Sequence, residues 1–449
     1  MSTTVRSTGS IYTSGGDLTR RQLIRAAIAA TIGTTIEWFD TTLYGLLIPI
    51  ALGRVFFPAG DPLASSLAGF VSLLVSFAAR PVGGILFGHY GDRLGRKATL
   101  VVTLLLSGVA STLIGVLPTY AQAGVLAPVL LLSLRLLIGL SLGGEWGGAV
   151  LLTLEWSNGP RRGFWAAWPQ IGVAAATVLG FLAIQGSAAL VGPRSDWAWR
   201  LPFLASIVLV AVGLYVRLGV LETPTFSRLL ERRRIERAPV LAVLGRNWRE
   251  VALTALLRMG EQAPLLVLTT FFLVYATTAL HVPQATAIGV SIVSGLAGVA
   301  CPPLFGYLSD RLGRRRVFLL GAVATGLWAA PYFALLGTRD FGSMLLAATV
   351  GQVTIAAMAG PEAAFIAETF TGRLRYSGAS IGAGLGAVIS GGAASIVSVL
   401  LLQRFHSAMP VAVYVIGCCL VSVVAATLLR ERSHQDLSVE YDEPAPRWA

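Results

Sequence analysis

Twelve long apolar stretches constrain the fold of this chain more than any other feature. Each has roughly 20 residues or more, the length that a helix needs to cross the hydrocarbon core of a bilayer. The stretches are predicted at about 26–52, 64–88, 98–117, 125–154, 164–189, 200–219, 250–275, 285–306, 317–336, 342–367, 377–402 and 410–429. Of the 449 residues, 55% are hydrophobic and only 12% are charged. Because soluble cores cannot hide so much apolar surface, we predict an all-α polytopic membrane protein.

A polar segment, 220–249, divides the stretches into six and six. The division predicts an N-terminal tail at 1–25, a six-helix bundle at 26–219, a linker at 220–249, a second bundle at 250–429 and a C-terminal tail at 430–449. The first span is expected to be retained, because no short apolar core with a small-residue cleavage site follows the basic residues of the first tail.

A short basic segment occurs once in each half. Residues 88–97 read Gly-His-Tyr-Gly-Asp-Arg-Leu-Gly-Arg-Lys, and residues 306–315 read Gly-Tyr-Leu-Ser-Asp-Arg-Leu-Gly-Arg-Arg, so the offset is 218. A second match, Glu155 with Glu368, has the similar offset of 213. Two matching loops at nearly one spacing indicate two pseudo-symmetric copies of one bundle, the organisation of a two-lobed carrier.

The residue types of the repeated segment predict a conformational latch between the lobes. Glycines let two helices turn sharply, an aspartate can accept the free N–H groups at the start of the following helix, and basic side chains can pair with acids at nearby helix ends. The predicted latch residues are Gly88, Gly91, Asp92, Arg93, Gly95 and Arg96 in the first copy and Asp310, Arg311, Gly313 and Arg314 in the second. The alternative is a topology signal and nothing more.

The distribution of basic residues predicts orientation. Of the 34 Lys and Arg residues, 26 fall in the two tails and in the loops on the same side, five fall in the opposite loops and three fall inside spans. Since cytoplasmic loops carry the excess of basic residues, both termini are expected in the cytoplasm, with the chain in the cytoplasmic membrane. The same distribution argues against nucleic-acid binding, despite a net charge of +12.

The first span carries a polar stripe at helical spacing that includes Glu37, Asp40 and Tyr44. Glu37 lies about 16 Å from the inner end of the helix, near mid-membrane. Two carboxyl groups one turn apart in a low-dielectric cavity cannot both ionise cheaply, so at least one is expected to hold a proton. The alternative is an acidic pair that an arginine neutralises for packing.

Other ionisable residues inside spans are candidates for function, because each is costly in lipid unless it is paired or faces water. Glu37, Asp40 and Glu145 are predicted to couple protons, and Arg80, Arg135, Arg258, Glu261, Gln262 and Tyr44 are predicted to bind substrate. Arginine is suited to a substrate carboxylate. For Arg135 an internal salt bridge remains the rival, and Arg258 and Glu261 could neutralise each other.

Signatures of enzymes and of metal sites do not occur in the sequence. It contains neither a His-Glu-x-x-His metal helix nor a Gly-x-x-x-x-Gly-Lys-Ser/Thr phosphate loop. The three cysteines, Cys301, Cys418 and Cys419, fall in apolar spans without metal-ligand spacing. We therefore predict no enzymatic activity, no cofactor and no bound metal.

Several blocks of the chain resemble the major facilitator superfamily, and more narrowly its metabolite:proton symporter family. The matching blocks are Glu37-Trp38-Phe39-Asp40, Ala79-Arg80-Pro81 with the basic segment after it, Arg135 through Gly148, Trp199 through Phe203, Glu222-Thr223-Pro224 and Arg375 through Gly378. The turn from Leu257 to Glu261 is similar to the shikimate and organic-acid branch. The chain departs from the family pattern at Thr41, Ala383-Gly384 and Ser395.

The resemblance implies uptake of a small organic acid or zwitterion together with protons, by alternating access, in a functional monomer embedded in the lipid bilayer. Because the departures touch the expected cavity, the substrate itself is not inherited. The alternative is a proton-coupled efflux carrier for a drug or secreted metabolite. Such antiporters typically carry a glycine-proline motif in the fifth span, whereas residues 170–186 contain no proline.

Overall fold

The computed structural model describes residues 15–58, 62–157, 160–219 and 239–433, and within these ranges all regular structure is helical. Twelve helices in the described part are long and apolar enough to cross a membrane, which confirms the predicted number. In chain order they are α1 (Arg20–Phe56), α2 (Ala64–Leu94), α3 (Lys97–Ile114), α4 (Leu126–Trp156), α5 (Arg162–Val191), α6 (Trp197–Leu218), α7 (Trp248–Ala279), α8 (Gln284–Leu312), α9 (Arg314–Gly337), α10 (Phe341–Thr369), α11 (Arg375–Phe405) and α12 (Met409–Leu428).

The helices extend further into the repeated basic segments than the apolar stretches predict. Helix α2 continues to Leu94 and α8 continues to Leu312, so a single glycine provides the turn to the next helix. Gly95 has φ 112° and Gly313 has φ 97°. Side chains other than glycine rarely adopt this backbone conformation, which is why a glycine stands at both turns. We call the end of the bundle that carries these two segments the basic end.

Small residues let the helices of each lobe approach closely. Gly139 and Gly143 of α4 lie against the backbone carbonyls of Ser76 and Arg80 of α2, where an added Cβ would stand 2.0 Å from each carbonyl oxygen. In the second lobe, Gly360 of α10 packs in the same way against α8. Such contacts replace the hydrophobic driving force, which is missing between helices in lipid.

The two lobes meet along two pairs of helices. Gly163 at the start of α5 packs on Gly306 of α8, and Gly84 of α2 packs on Ser380 of α11. The pairs α5/α8 and α2/α11 are related by the internal repeat, since each joins the second helix of one lobe to the fifth helix of the other. The two six-helix bundles therefore face each other through equivalent pairs of helices.

Three of the helices at the lobe interface contain π-helical turns. These turns are Ile48–Leu52 in α1, Val267–Phe271 and Tyr275–Ala279 in α7, and Ala387–Gly392 in α11. A π-helical turn interrupts the regular hydrogen-bond ladder and is frequent at functional sites. The π-helical turns therefore occur in three of the helices that face the boundary between the lobes.

The predicted linker is described only in part. Residues 220–238 lie outside the described residues, as do 1–14 and 434–449, and a short helix, Pro239–Arg246, precedes α7. The predicted limits of the tails, bundles and linker stay predictions.

We expect Gly139→Ala to destabilise the first lobe. The new Cβ would force α4 away from α2, and overpacking of this kind costs about 1–3 kcal/mol. Thermal unfolding of the purified protein in detergent measures the effect, and we expect a fall of several degrees. Gly186→Ala in α5 is the matched control, because its Cβ would meet nothing within 4 Å. Equal melting of both variants would show that the close approach is not required.

Candidate functional site

Charged side chains from both lobes meet at a small cavity in the middle of the bundle. Glu37 of α1 and Arg80 of α2 come from the first lobe, and Arg258 of α7 comes from the second. The other lining residues are Trp38, Leu142, Gly143, Trp146, Ser380, Ala383, Gly384 and Ala387. The free space is about 20 Å³, enough for one or two water molecules. The lobes are therefore closed around the charged groups in this structure.

Aromatic rings hold the two arginines of the cavity in place. The guanidinium of Arg80 lies 4.1 Å from the ring centre of Phe77, and that of Arg258 lies 4.5 Å from the ring centre of Trp146. A ring face stabilises the cation without using its N–H donors. Within the described part of the chain, Nε of Arg80 and both Nε and Nη1 of Arg258 have no hydrogen-bond partner. Nε of each arginine therefore keeps a hydrogen-bonding capacity that the described side chains and backbone leave unused.

Glu37 is the carboxyl group of the cavity. Its side chain is buried, and its Oε2 atom has no hydrogen-bond partner among the described residues. Arg80 and Arg258, one from each lobe, are the cations that line the cavity with it. An isolated buried carboxylate is costly. The charge state of Glu37 therefore depends on how the lobes and their arginines are placed.

A second acidic cluster lies behind Arg258 in the second lobe. Its guanidinium is 3.9 Å from a carboxylate oxygen of Glu261 and 3.9 Å from one of Glu362, and it donates a 2.9 Å hydrogen bond to Gln262. Neither oxygen of Glu362 has a hydrogen-bond partner within the described ranges. One cation thus faces two acids. Glu362 was assigned no role from the sequence, although its position as a carboxyl inside a predicted span could have identified it.

Asp40 and Arg135 form a separate ion pair inside the first lobe. Arg135 Nη1 donates to Asp40 Oδ2 at 2.8 Å, and Ser111 Oγ donates to Asp40 Oδ1 at 2.6 Å. The Arg135 guanidinium is fully buried and lies 4.1 Å from the ring centre of Tyr44, whose hydroxyl bonds Ser72. The internal salt bridge, the rival interpretation of Arg135, is the arrangement that the structure contains.

This placement corrects the expectation that the polar stripe of α1 faces one cavity as a unit. Three residues of a helix turn the side-chain direction by about 300°, so Glu37 and Asp40 point about 60° apart. That angle suffices to aim Glu37 between the lobes and Asp40 toward α3 and α4. Arg135 and Tyr44, which were expected to meet substrate, lie with Asp40 inside the first lobe.

Glu145 is neutralised by an arginine that sequence reasoning missed. It forms an ion pair with Arg217 of α6 and accepts a 2.7 Å hydrogen bond from Thr103 of α3. Arg217 also donates to the carbonyl of Leu100. In the sequence, Arg217 lies at the end of its apolar stretch and was therefore interpreted as a loop residue. Gly33 of α1 leaves space for the Arg217 side chain, because a Cβ at position 33 would stand 2.2 Å from Arg217 Nη2.

At the basic end, the aspartates of the repeated segments bond across the lobe interface. Asp92 of α2 accepts hydrogen bonds from the backbone N–H of Ser377 at 3.0 Å and from its hydroxyl at 2.8 Å. Asp310 of α8 accepts from the backbone N–H groups of Gly163 at 2.8 Å and Phe164 at 2.9 Å. Each carboxylate therefore caps the start of a helix in the opposite lobe, α11 or α5.

These bonds correct the prediction that each aspartate caps the helix that follows it. Because α2 and α8 run on through their aspartates, Asp92 and Asp310 lie in the last turn of their own helices. The next helix begins only beyond the glycine turn. The helix start that each aspartate caps belongs instead to the other lobe, at the contact pairs α2/α11 and α5/α8.

Buried ion pairs surround the two caps. Arg314 bonds Asp310 at 2.6 Å and Glu368 at 3.2 Å, and Arg162 lies 3.6 Å from Glu368. Arg375 of α11 lies 3.6 Å from Glu155 of α4. Since Arg162 and Glu368 belong to different lobes, as do Arg375 and Glu155, these pairs join the lobes at the basic end.

The remaining predicted latch residues divide into two groups. Gly88 and Gly91 lie against Ser377 and Tyr376 of α11, where an added Cβ would approach to 3.0 and 2.6 Å. Arg93 is exposed and contacts His89, and Arg311 lies over the ring of Tyr307, so both contacts are within their own helices. The side chain of Arg96 lies outside the described part. Among the predicted latch residues, the interlobe contacts therefore come from glycines and aspartates, whereas Arg314 forms its ion pairs with Asp310 and Glu368 of its own lobe.

The described ranges hold no candidate metal site. They contain no set of three or more His, Cys, Asp or Glu side chains that could hold a metal ion. The buried carboxyls of the site are instead grouped with arginines.

Comparisons with known proteins agree with this architecture. Residues 26–252 match the family described as "Sugar (and other) transporter", and residues 266–446 match "Major Facilitator Superfamily". The shikimate transporter of Escherichia coli K12 is 33% identical over 433 residues, which cover 93% of this chain and 96% of that protein. The proline/betaine transporter of the same strain is 30% identical over 427 residues, covering 93% of this chain and 85% of that protein.

A solved structure shows the same fold at low sequence identity. The xylose transporter XylE from E. coli is 17% identical, and it superimposes with a TM-score of 0.69 over 93% of this chain and 100% of that one. The likeness extends over both lobes. The chain is therefore a multi-pass membrane transporter, not an enzyme, and belongs to the metabolite:proton symporter family of the major facilitator superfamily.

Proposed function

We propose that this protein takes up a small carboxylated or zwitterionic metabolite together with protons, by alternating access. One observation carries the proposal: Arg80, Arg258 and Glu37 converge from both lobes on one closed cavity, with hydrogen-bonding atoms that have no partner in the described chain. A substrate carboxylate between the two guanidinium groups receives charge-assisted bonds from each lobe. Binding then favours closure of the lobes around it.

Charge balance in the cavity supports proton coupling. Arg80 and Arg258 carry two positive charges, while Glu37, Glu261 and Glu362 carry three negative charges when all are ionised. A bound carboxylate makes this buried set more negative still, which is costly away from water. Protons on the glutamates remove the excess, so an anionic substrate and protons bind together. A zwitterion adds no net charge and needs fewer protons.

The other two acids that were predicted to couple protons, Asp40 and Glu145, each have an arginine as ion-pair partner. Asp40 is paired with Arg135, and Glu145 is paired with Arg217. They can take part in coupling only if those pairs open during the cycle. Glu37, which has one oxygen without a partner among the described residues, is the first proton site that we assign.

The basic end supplies the inner gate. The positive-inside distribution supports a cytoplasmic location for this end and for both termini, with the chain in the cytoplasmic membrane. In this structure, the Asp92 and Asp310 caps hold that end closed. Release of substrate to the cytoplasm requires both caps to break, and re-forming them returns the cavity to the outside.

Glu37→Gln should abolish accumulation driven by a pH gradient and leave counterflow partly intact. The amide keeps the shape and the hydrogen bonding of a protonated carboxyl but cannot release a proton. Uptake of a labelled substrate into proteoliposomes, with and without an imposed pH gradient, measures both activities. The control is Asp340→Asn, which alters an exposed helix-capping carboxylate at the opposite end. Loss of both activities in a folded Glu37→Gln protein would make Glu37 a binding or structural group.

Arg80→Lys and Arg258→Lys should each weaken substrate binding roughly tenfold or more, because lysine keeps the charge but loses the planar fork of donors. Binding is measured by thermal shift with shikimate, 2-oxoglutarate, citrate and aromatic acids. Arg135→Lys serves as the comparison variant, and there we expect a lower melting temperature and not a changed affinity, since Arg135 is paired with Asp40. Unchanged affinity in both cavity variants would contradict the assigned binding site.

Asp92→Asn should open the basic end more often. The substitution weakens two hydrogen bonds to a charged group, so we expect an engineered Ser380→Cys in the cavity wall to be labelled roughly tenfold faster. An impermeant maleimide applied to inside-out vesicles measures the rate, in a background whose natural cysteines are replaced by serine. Arg93→Gln is the matched control, because Arg93 contacts its own helix. Equal rates in the two variants would contradict the latch.

A further inference from the structure

A groove at the basic end is separate from the central cavity. It lies within the second lobe, where the start of α7 meets the ends of α10 and α12, and it has a volume of about 630 Å³. Its lining residues are Trp248, Arg249, Glu250, Ala252, Leu253, Thr369, Leu428, Leu429, Arg430 and Arg432. None of them lines the central cavity. The volume is in the range of sites that hold small molecules.

The groove is positively charged. It contains three arginines, Arg249, Arg430 and Arg432, against one acid, Glu250. Arg249 and Arg430 are exposed, and Arg432 donates a 3.2 Å hydrogen bond to the carbonyl of Thr369. The arginines come from both sides of the groove, one from α7 and two from the segment after α12. A single anionic group between them would contact both sides.

In the segment after α12, the only acidic residue of the Arg430-Glu431-Arg432 sequence, Glu431, does not line the groove. The backbone at the end of α12 is extended at Leu429, with φ −69° and ψ 138°. Beyond it, Arg430 and Arg432 line the groove, while Glu431 between them accepts a 2.5 Å hydrogen bond from the backbone N–H of Arg314. The Arg-Glu-Arg sequence thus presents two cations to the groove and directs the acid elsewhere.

The other wall of the groove is apolar and lies at the membrane surface. Leu428 is 63% exposed and Trp248 is 59% exposed, and Leu253 lies one and a half turns further into α7. These residues stand at the ends of spanning helices, the depth at which lipid headgroups meet the hydrocarbon and at which tryptophan is enriched. The groove therefore combines arginines with apolar side chains at the ends of spanning helices.

We propose that this groove binds an anionic phospholipid. The headgroup phosphate lies between Arg249 and Arg430, and an acyl chain runs along Leu253 and Leu428. Basic pockets between spanning helices suit such headgroups. A soluble phosphate compound would use the arginines but leave the apolar wall exposed, so the lipid accounts for both sides. The proposal is independent of the transported substrate.

The bound lipid joins α7 to the end of α12. Arg258, in the central cavity, lies nine residues beyond Arg249 on the same helix, about two and a half turns away. A lipid that holds the start of α7 therefore also stabilises the helix that carries a cavity arginine. We expect the stability of the second lobe to depend on lipid charge.

Native mass spectrometry and thermal unfolding of the purified full chain test the proposal. Phosphatidylglycerol should be retained and should raise the melting temperature, whereas phosphatidylcholine and inorganic phosphate should do neither. Arg249→Gln and Arg430→Gln should each weaken retention of phosphatidylglycerol about fivefold. The matched control is Arg246→Gln, which removes an exposed arginine near the same end but outside the groove and should leave retention unchanged.

Three outcomes would overturn the proposal. Equal retention of phosphatidylcholine would show that the lipid charge is not recognised. Unchanged retention of phosphatidylglycerol in the Arg249→Gln/Arg430→Gln double variant would place the lipid elsewhere. Protection by inorganic phosphate equal to that by phosphatidylglycerol would make the groove a site for soluble phosphate.

Discussion

The cost of burying a charge in a membrane governs the rest of this structure. Within the first lobe the cost is met by complete pairs, Asp40 with Arg135 and Glu145 with Arg217. At the boundary between the lobes it is met only in part, because Arg258 faces two acids at 3.9 Å and Glu37 keeps an oxygen without a partner in the described chain. The complete pairs hold the scaffold together. The incomplete ones lie at the cavity where we propose that substrate and protons bind.

The same constraint acts at the basic end, where it joins the lobes. Asp92 and Asp310 are buried or nearly so, and each finds its donors at the start of a helix in the other lobe. Separation of the lobes therefore exposes two carboxylates and two helix ends together. The internal repeat makes the two contacts equivalent. Helices α2 and α11 contribute residues both to the central cavity and to the contacts at the basic end.

Much of the fold followed from patterns along the chain. The number of spans, the division into two halves and the two basic segments each needed only composition and spacing, because lipid requires long apolar helices whatever their neighbours are. The sequence predicted which residues belong to the candidate site, but not which of them lie next to each other. Helical periodicity placed Glu37 and Asp40 on one stripe, yet a 60° difference in direction sends them to different partners. Arg217 was missed because its apolar stretch ends there. Asp92 was predicted as a latch residue, but the helix start that it caps was missed because that partner lies 285 residues away.

The sequence by itself determined that this chain crosses a membrane twelve times, that its halves are related and that a few charges lie where lipid would exclude them. Those properties depend on local composition and on repeats, which are visible without contacts. Only the tertiary structure decided which charges neutralise each other inside a lobe and which face the boundary. The physical reason is that the energy of a buried charge depends on the nearest opposite charge, and that neighbour comes from another helix or from the other lobe.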